Sequence, residues 1–449
     1  MGKSVKDNII LLLDNYGADS RKLHNSFLLA GKNPPVIVID EDGFLPDNVM
    51  GVVDFFLGGF PCSDKIPGKP RYFNQITVPE YWEISANNTG GKIYDLNKER
   101  ARIFYAEPKH KRLVKTVDWY DDRGIVRSSD HYNKYGALYA RTIFNAKGQK
   151  VNKSYFSAEG KEIVMENYVT GDFIVNVGKL VKIFRTKKEF VAYTLQLAGY
   201  SGYRIFFNTL STSFFVSQLL EENEKGDVLF WQEPIAQEIP GNMRGILNGT
   251  AKRAAKIVVQ RPDAYQKMLE LGVSTEIMQK TGYIYPFVKE NAGMPEALIC
   301  TNSDKIAELD KLVEALPEVH FSIAALTEMS SKLMSMGRYK NVSLYPGVKM
   351  KVLDELFHKA DFYLDINHES EIVSAVEKAF LHNHLIFAFR ETIHNASYVA
   401  KEHIFESDKA EELVKAVRAA LGSTECLKTG LEAQHKTAML EQEQVYQNI

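Results

Sequence analysis

The chain of 449 residues holds only three cysteines, Cys62, Cys300 and Cys426, too far apart to form a metal knuckle. So sparse and odd a count fits a reducing compartment and excludes a disulfide scaffold. A cationic excess is also missing: 55 Lys plus Arg stand against 57 Asp plus Glu, a net charge of −2. That balance offers no broad field to a phosphate backbone, so nucleic acid is excluded as a partner. No apolar run approaches the roughly 20 residues of a membrane span, and the stretch Ile9–Leu13 is stopped by Asp14. Neither a leader nor an anchor is expected. There is no Walker phosphate loop, Gly-x-Ser-x-Gly elbow, His-Glu-x-x-His or paired Cys motif. His368, His382, His384 and His394 come nearest to a metal cluster, but their spacing does not put all four on one helix face. They read as dispersed surface histidines. A cytoplasmic protein without metal or cofactor is expected.

What the chain does have is ample core material, 45% hydrophobic residues, enough for two or three globular units. Asn-Ile-Ile-Leu-Leu-Leu-Asp from Asn8 is a short continuous apolar run, the pattern of a parallel strand covered on both faces. A helix capped by Asp19 or Ser20 and closed at Gly31, a strand at 36–39 and a third at 52–57 should follow. Helical periodicity then vanishes for over a hundred residues. Between Arg71 and Phe184 there are 18 aromatics in 114 residues, against 32 in the other 335, a composition that favours antiparallel sheet. Gly124, Gly136, Gly148 and Gly160 recur every 12 residues, and Tyr120, Tyr132, Phe144, Phe156 and Tyr168 keep the same interval. Each repeat is one strand plus one turn, so the segment reads as a β-meander, its aromatics packed in a column along one sheet face. Should one face lack helical cover, it is a surface for a partner chain.

After Lys187 helix and strand alternate again. The pattern implies an α/β protein: two doubly wound Rossmann-like domains with an inserted antiparallel β-meander domain. The first domain takes residues 1–60 and 187–275, the meander 61–186, the second Rossmann-like domain 276–421 and a helical tail 422–449. Within the second, helices are expected at 304–316, 328–336 and 371–380. Such domains bind ligands at the carboxyl ends of their strands. Asn15 and Tyr16, Trp231 and Gln232, and Asn367 and His368 stand there, with amide, hydroxyl and aromatic groups whose donors and acceptors suit a peptide backbone.

Glu369 and Glu377 are separated by seven residues. The spacing resembles that of retaining glycosyltransferases of the two-Rossmann type, in which Gly between the two acids lets backbone amides meet a nucleotide-sugar diphosphate. Here Ser370 to Val376 contain no Gly, so side chains fill that place, and Glu369 and Glu371 crowd the positive end of the helix. The Arg and Lys pair such enzymes set against the departing diphosphate is reduced to Lys305 beside Asp304. Lys305, Glu369 and Glu377 therefore read as vestigial donor-site positions, and no catalytic residue is assigned. Short basic runs at 109–112 and 185–188 read as solvated turns, or as peripheral contact with an anionic leaflet on the cytoplasmic face of the membrane.

Four stretches carry a wider resemblance: Asn-Ile-Ile-Leu-Leu-Leu-Asp-Asn-Tyr at 8–16, the segment from Tyr-Phe-Asn-Gln-Ile (72–76) to Glu-Asn-Tyr (166–168), Phe-Trp-Gln-Glu-Pro at 230–234 and Phe-Tyr-Leu-Asp-Ile-Asn-His at 362–368. By these the chain resembles the GtfB-type stabilising subunit of the accessory Sec glycosylation complex of Gram-positive cocci. The resemblance implies a GT-B-like fold with the inserted β-meander, and a non-catalytic subunit that holds the acceptor beside a catalytic partner using UDP-N-acetylglucosamine. The acceptor would be serine-rich repeat adhesin, O-glycosylated on Ser and Thr before export, and the partner would dock through the β-meander. The alternative is an active retaining transferase using a UDP-sugar; a third, weaker possibility makes the meander a carbohydrate-recognising module.

Overall fold

A computed structural model describes residues 8–58 and 68–449. Cys62 and the expected junction at residues 60 and 61 lie outside the described residues. The chain forms two compact units, one built on Lys32–Lys280 and the chain before Leu29, the other on Thr281–Ile449 with Leu29–Gly31.

In the first unit, seven parallel strands lie in the order Val49–Gly51, Val36–Val38, Ile9–Leu13, Arg204–Phe207, Asp227–Trp231, Ala254–Val259 and Met278–Lys280. Ile9–Leu13 is buried on both faces, as its unbroken apolar run requires. The helix after it spans Ala18–Leu29, buries Leu23 and Phe27, and is followed by Gly31 at φ 75°. The strand expected at 52–57 is displaced: Val49–Gly51 is the third strand, and Asp54–Gly58 is a helix. Asp54 explains the switch, because its Oδ2 accepts a hydrogen bond from Gly51 N at 2.7 Å and ends the strand there.

The insert is a ten-stranded antiparallel meander from Glu83–Ala86 to Leu180–Phe184. Gly124, Gly136, Gly148 and Gly160 take φ between 75° and 78°, one at each successive turn. Three turns are tightened by an Asx side chain: Asn133 Oδ1, for example, accepts from Tyr135 N and Ala137 N, each at 3.0 Å. The aromatic repeat does not make one column. Tyr120, Tyr132, Phe144 and Phe156 each end a strand, and since direction reverses at every turn they alternate between the two ends of the sheet. The aromatics that do stack inward come from strand interiors, Tyr139 and Tyr155 with centroids 6.4 Å apart.

That inward face shares its core with the seven-stranded sheet. Phe190, on the helix Lys187–Leu197, packs on Phe56, Phe173 and Phe184 at centroid distances of 5.6, 5.0 and 5.7 Å. At the far end the opposite face is covered instead, by Ile76 and Trp82 over Ile93, Ala101, Ile103 and Val117.

The second unit has six parallel strands, ordered Val342–Tyr345, His320–Ala325, Glu296–Thr301, Phe362–Asp365, Leu385–Phe389 and Ile404–Phe405. The helix expected at 304–316 is shortened to Leu309–Ala315. Residues 305–307 instead run beside 366–368: Ala307 N donates to Ile366 O at 2.8 Å, and His368 N to Lys305 O at 3.0 Å. The helix expected at 328–336 is a single turn, Ser331–Met334, followed by a 3-10 turn. The tail carries the helix Thr424–Thr437, whose buried Gln434 bridges His384 O and Ile386 N at 2.9 and 3.0 Å. Tyr446 is fully buried and donates to Gly282 O at 2.8 Å.

The turn glycines yield a paired prediction. Gly136 and Gly160 share φ 78°, but a Cβ at Gly136 would stand 2.4 Å from Lys69 O, whereas Gly160 faces open space. Gly160→Ala should cost about 1 kcal/mol, the penalty of a left-handed L-residue, and Gly136→Ala at least about twice that. Urea unfolding of the two variants gives the comparison; equal midpoints would show that the backbone contact is not confining.

Candidate functional site

In the first unit the carboxyl ends of the parallel strands surround a cavity of about 640 Å³, lined by Asp14, Asn15, Asp40, Thr209, Trp231 and Glu233 among others. Each follows or ends a strand, so the sheet itself positions them. Asp14 is buried and accepts from Thr209 Oγ1 and from Ser213 Oγ, the latter at 2.7 Å. Asn15 is exposed; its Oδ1 accepts from Gly17 N at 3.1 Å and its carbonyl from Ser20 Oγ at 2.8 Å. Trp231 is buried at the cavity wall, and its Nε1 has no hydrogen-bond partner.

Tyr16 and Gln232 stand apart from that lining. Tyr16 OH meets His24 Nδ1 at 2.7 Å, and burial pushes its phenol up to about 12. Gln232 is buried, with its amide spent on protein: Oε1 accepts from Asn208 Nδ2 at 2.8 Å, and Nε2 donates to Asp19 O and Gln260 Oε1, each at 3.0 Å. It ties the strand ends together and positions Trp231 rather than facing a ligand. Thr209, Asp40 and Asp14 were not singled out from the sequence, although each follows a strand as Asn15 does. Asp40 is further held by Lys187 Nζ at 2.6 Å, which also reaches Glu166 of the meander at 3.4 Å.

In the second unit the vestigial positions meet. Lys305 Nζ lies 2.7 Å from Glu369 Oε1 in an exposed ion pair, which holds the Glu369 carboxyl below and the Lys305 ammonium above their usual ranges. The cation left for a diphosphate is thus matched by an acid of the same site. Glu377 accepts from Tyr398 OH at 3.2 Å. Glu371 Oε1 caps the backbone N of Val376 at 2.7 Å, and burial raises its carboxyl. The helix expected at 371–380 begins only at Ala375, because Val373 and Ser374 take φ 47° and 50°. A left-handed Val is an outlier in L-chains, so this stretch keeps a backbone path natural to Gly without the glycine. Next to it, Asn302, Asp304, Thr327 and Glu328 line a smaller cavity of about 230 Å³ with an acidic rim.

Asn367 is buried and structural: it accepts from Thr301 Oγ1 and donates to Glu369 O, each at 2.9 Å. His368 is exposed. The four histidines are not all surface groups. His384 is buried, its Nε2 donates to Phe357 O at 2.7 Å, and burial lowers it to about 3; His382 is buried against Lys378 O. His394 is held by Asp365, Nδ1 to Oδ1 at 2.5 Å, and its Nε2 lies 2.6 Å from Glu369 O. The Asp365 bond raises His394 to about 9. Among the described residues no three metal-ligating side chains gather.

Because His394 is raised above its unfolded value of about 6.5, it stabilises the fold fully below that pH and loses the contribution as pH rises through about 9. The urea midpoint should therefore fall between pH 7 and 9.5 more steeply in the wild type than in His394→Gln. Parallel pH profiles would show that the Asp365 pair is not coupled to folding.

Profiles of the GtfB N-terminal, middle and third domains match residues 10–56, 82–185 and 187–271, and that of the GftB/GlyA-F C-terminal domain matches 297–434. The chain is 40% identical over 434 residues to the UDP-N-acetylglucosamine--peptide N-acetylglucosaminyltransferase stabilizing protein GtfB of Streptococcus gordonii, covering 96% of this chain and 95% of that one. A chain in a crystal structure of a GtfA/B complex bound to UDP and GlcNAc superposes with a TM-score of 0.90 at 39% identity, covering 98% of both. TarM, at 10% identity and a TM-score of 0.50 over 99% of this chain and 98% of its own, shares the fold.

Proposed function

This chain belongs to the GtfB family of peptide N-acetylglucosaminyltransferase stabilising proteins, and on that premise we propose that it is a non-catalytic subunit that stabilises a GtfA-type transferase and holds its acceptor. The observation that carries the non-catalytic part is the Lys305–Glu369 pair at 2.7 Å. A retaining transfer needs positive charge free to meet the leaving diphosphate. Here the cation is satisfied by an acid, and Val373 and Ser374 put side chains where bare backbone would approach phosphate. Neither feature favours an independently active transferase.

The acceptor, in our reading, is a Ser/Thr-rich adhesin chain modified in the cytoplasm before export, and it lies in the cavity lined by Asn15, Trp231 and Glu233. The exposed Asn15 amide and Glu233 carboxylate at strand ends suit the N–H, C=O and hydroxyl groups of a polypeptide. Asn367 and His368 serve the corresponding edge of the second unit, with Asn367 fixing the loop and His368 open to contact. The partner docks on the meander. Its support is the face turned away from the shared core, where Ile143, Val181 and Ile183 are exposed. We do not extend the proposal to a membrane, because Arg185 is paired with Asp172, Lys187 with Asp40, and Lys109 with Glu107.

Anisotropy of a labelled Ser/Thr-rich peptide measures the acceptor site. Asn15→Ala with Glu233→Ala, both exposed positions, should weaken binding about tenfold, ~1.4 kcal/mol. Unchanged affinity in the double variant removes this cavity as the acceptor site.

A further inference from the structure

On the meander face turned away from the shared core, one depression stands out. It encloses about 510 Å³ and is lined by Arg71, Trp119, Ser128, Asp130, Tyr132 and Arg141 among others. The strand register explains how these residues converge. Trp119 lies opposite Ser128, and Ser128 opposite Ile143; Asp130 lies opposite Arg141, and Arg141 opposite Ser154. Residues two apart in a strand share a face, so the two rows adjoin on one surface.

Asp130 is buried at the floor and organises the walls. It accepts from Trp119 Nε1 at 3.0 Å and from Arg141 Nε and Nη2 at 2.5 and 3.1 Å. Arg71 enters from the other side, donating from Nε to Gly136 O at 2.6 Å, with its guanidinium 5.1 Å from the centre of the Tyr132 ring. Each arginine therefore has one edge fixed by protein while Arg71 Nη1 and Nη2 and Arg141 Nη1 have no protein partner among the described residues. Two pre-positioned guanidinium groups face a site with a single carboxylate, Asp130, leaving one uncompensated positive charge.

The same face runs on without interruption to apolar surface. Arg141 and Ser154 lead across the register to Met165, Ile174 and Ile183, and the exposed Ile143 (37%), Ile183 (55%) and Val181 (69%) lie on it. A pocket built of Trp, Tyr and Arg beside an open apolar sheet is the composition of an interface anchor. We propose that this pocket seats an acidic side chain of the transferase subunit, whose carboxylate pairs with the open edges of Arg71 and Arg141 and fixes the register of docking. The inference rests on the meander being the docking face, and adds to it the chemistry that the partner must bring.

Calorimetry of the full chain with the GtfA-type subunit of the same organism, repeated at rising salt, tests this. Arg71→Gln should raise Kd about tenfold, and Arg71→Gln with Arg141→Gln and Asp130→Asn should raise it further and flatten the salt dependence. Asp130→Asn is included so that no buried carboxylate is left without its cation, and thermal unfolding of Arg71→Gln alone checks that the fold is intact. Ile183→Asp, at an exposed position outside the pocket, reports on the docking face by itself. If it binds as the wild type does, the meander is not the docking face. If it weakens binding while the arginine variants keep wild-type affinity and salt dependence, the docking face stands and the acidic anchor is overturned. Binding of a GlcNAc-bearing peptide that is lost in Arg71→Gln, with partner affinity unchanged, would make the pocket a sugar site and equally overturn the proposal.

Discussion

A parallel sheet covered by helices on both faces leaves only its carboxyl edge open to chemistry, and both sheets of this protein obey that constraint. What distinguishes the chain is what fills the two edges. In the first unit the edge is a cavity with acid, amide and hydroxyl groups, its back held by the Asn208–Gln232–Gln260 amide chain. In the second, the edge is closed on itself: Lys305 is bonded to Glu369, Asn367 to Glu369 O, and His394 bridges Asp365 and Glu369 O. The cation that would meet a diphosphate there, Lys305, is already bonded to an acid of its own chain. Val373 and Ser374 beside it take left-handed φ, the region that favours glycine, and carry side chains there.

The meander is tied to the first edge through charge as well as through its aromatic core. Lys187 spans Asp40 of the cavity and Glu166 of the meander. Glu41 has its carboxyl oxygen Oε1 buried, and burial, with Asp54 close by, pushes its carboxyl well above the usual range. Burial also lowers the neighbouring Lys153 ammonium. Gly51 lies against this group: a Cβ there would stand 2.9 Å from Glu41 Cδ, so any side chain would displace the Glu41 carboxyl.

Much of this was legible in advance, and the failures have physical causes. The short apolar runs gave both parallel sheets because strands buried on two faces need no alternation, and the 12-residue glycine interval gave the meander because each turn needs a positive φ. Local periodicity went wrong where tertiary hydrogen bonds overrode it. Residues 305–307 look helical but are drawn alongside 366–368, Glu371 caps a helix that starts four residues late, and the aromatic repeat ignores that antiparallel strands reverse. Asn15 and Trp231 were found as strand-end residues, and both line the cavity. The amide chain of Gln232, the Lys305–Glu369 pair and the Arg71–Arg141 pocket join residues 24 to 70 positions apart, distances over which a single sequence carries no pairing signal.

The central claim is that the second unit cannot hold an activated sugar's diphosphate, and calorimetric titration of the purified chain with UDP tests it most directly. The account predicts no saturable heat at millimolar nucleotide, in the wild type and in Lys305→Ala alike. Saturable binding in the wild type that disappears in Lys305→Ala would contradict it, for it would show Lys305 leaving Glu369 to meet phosphate.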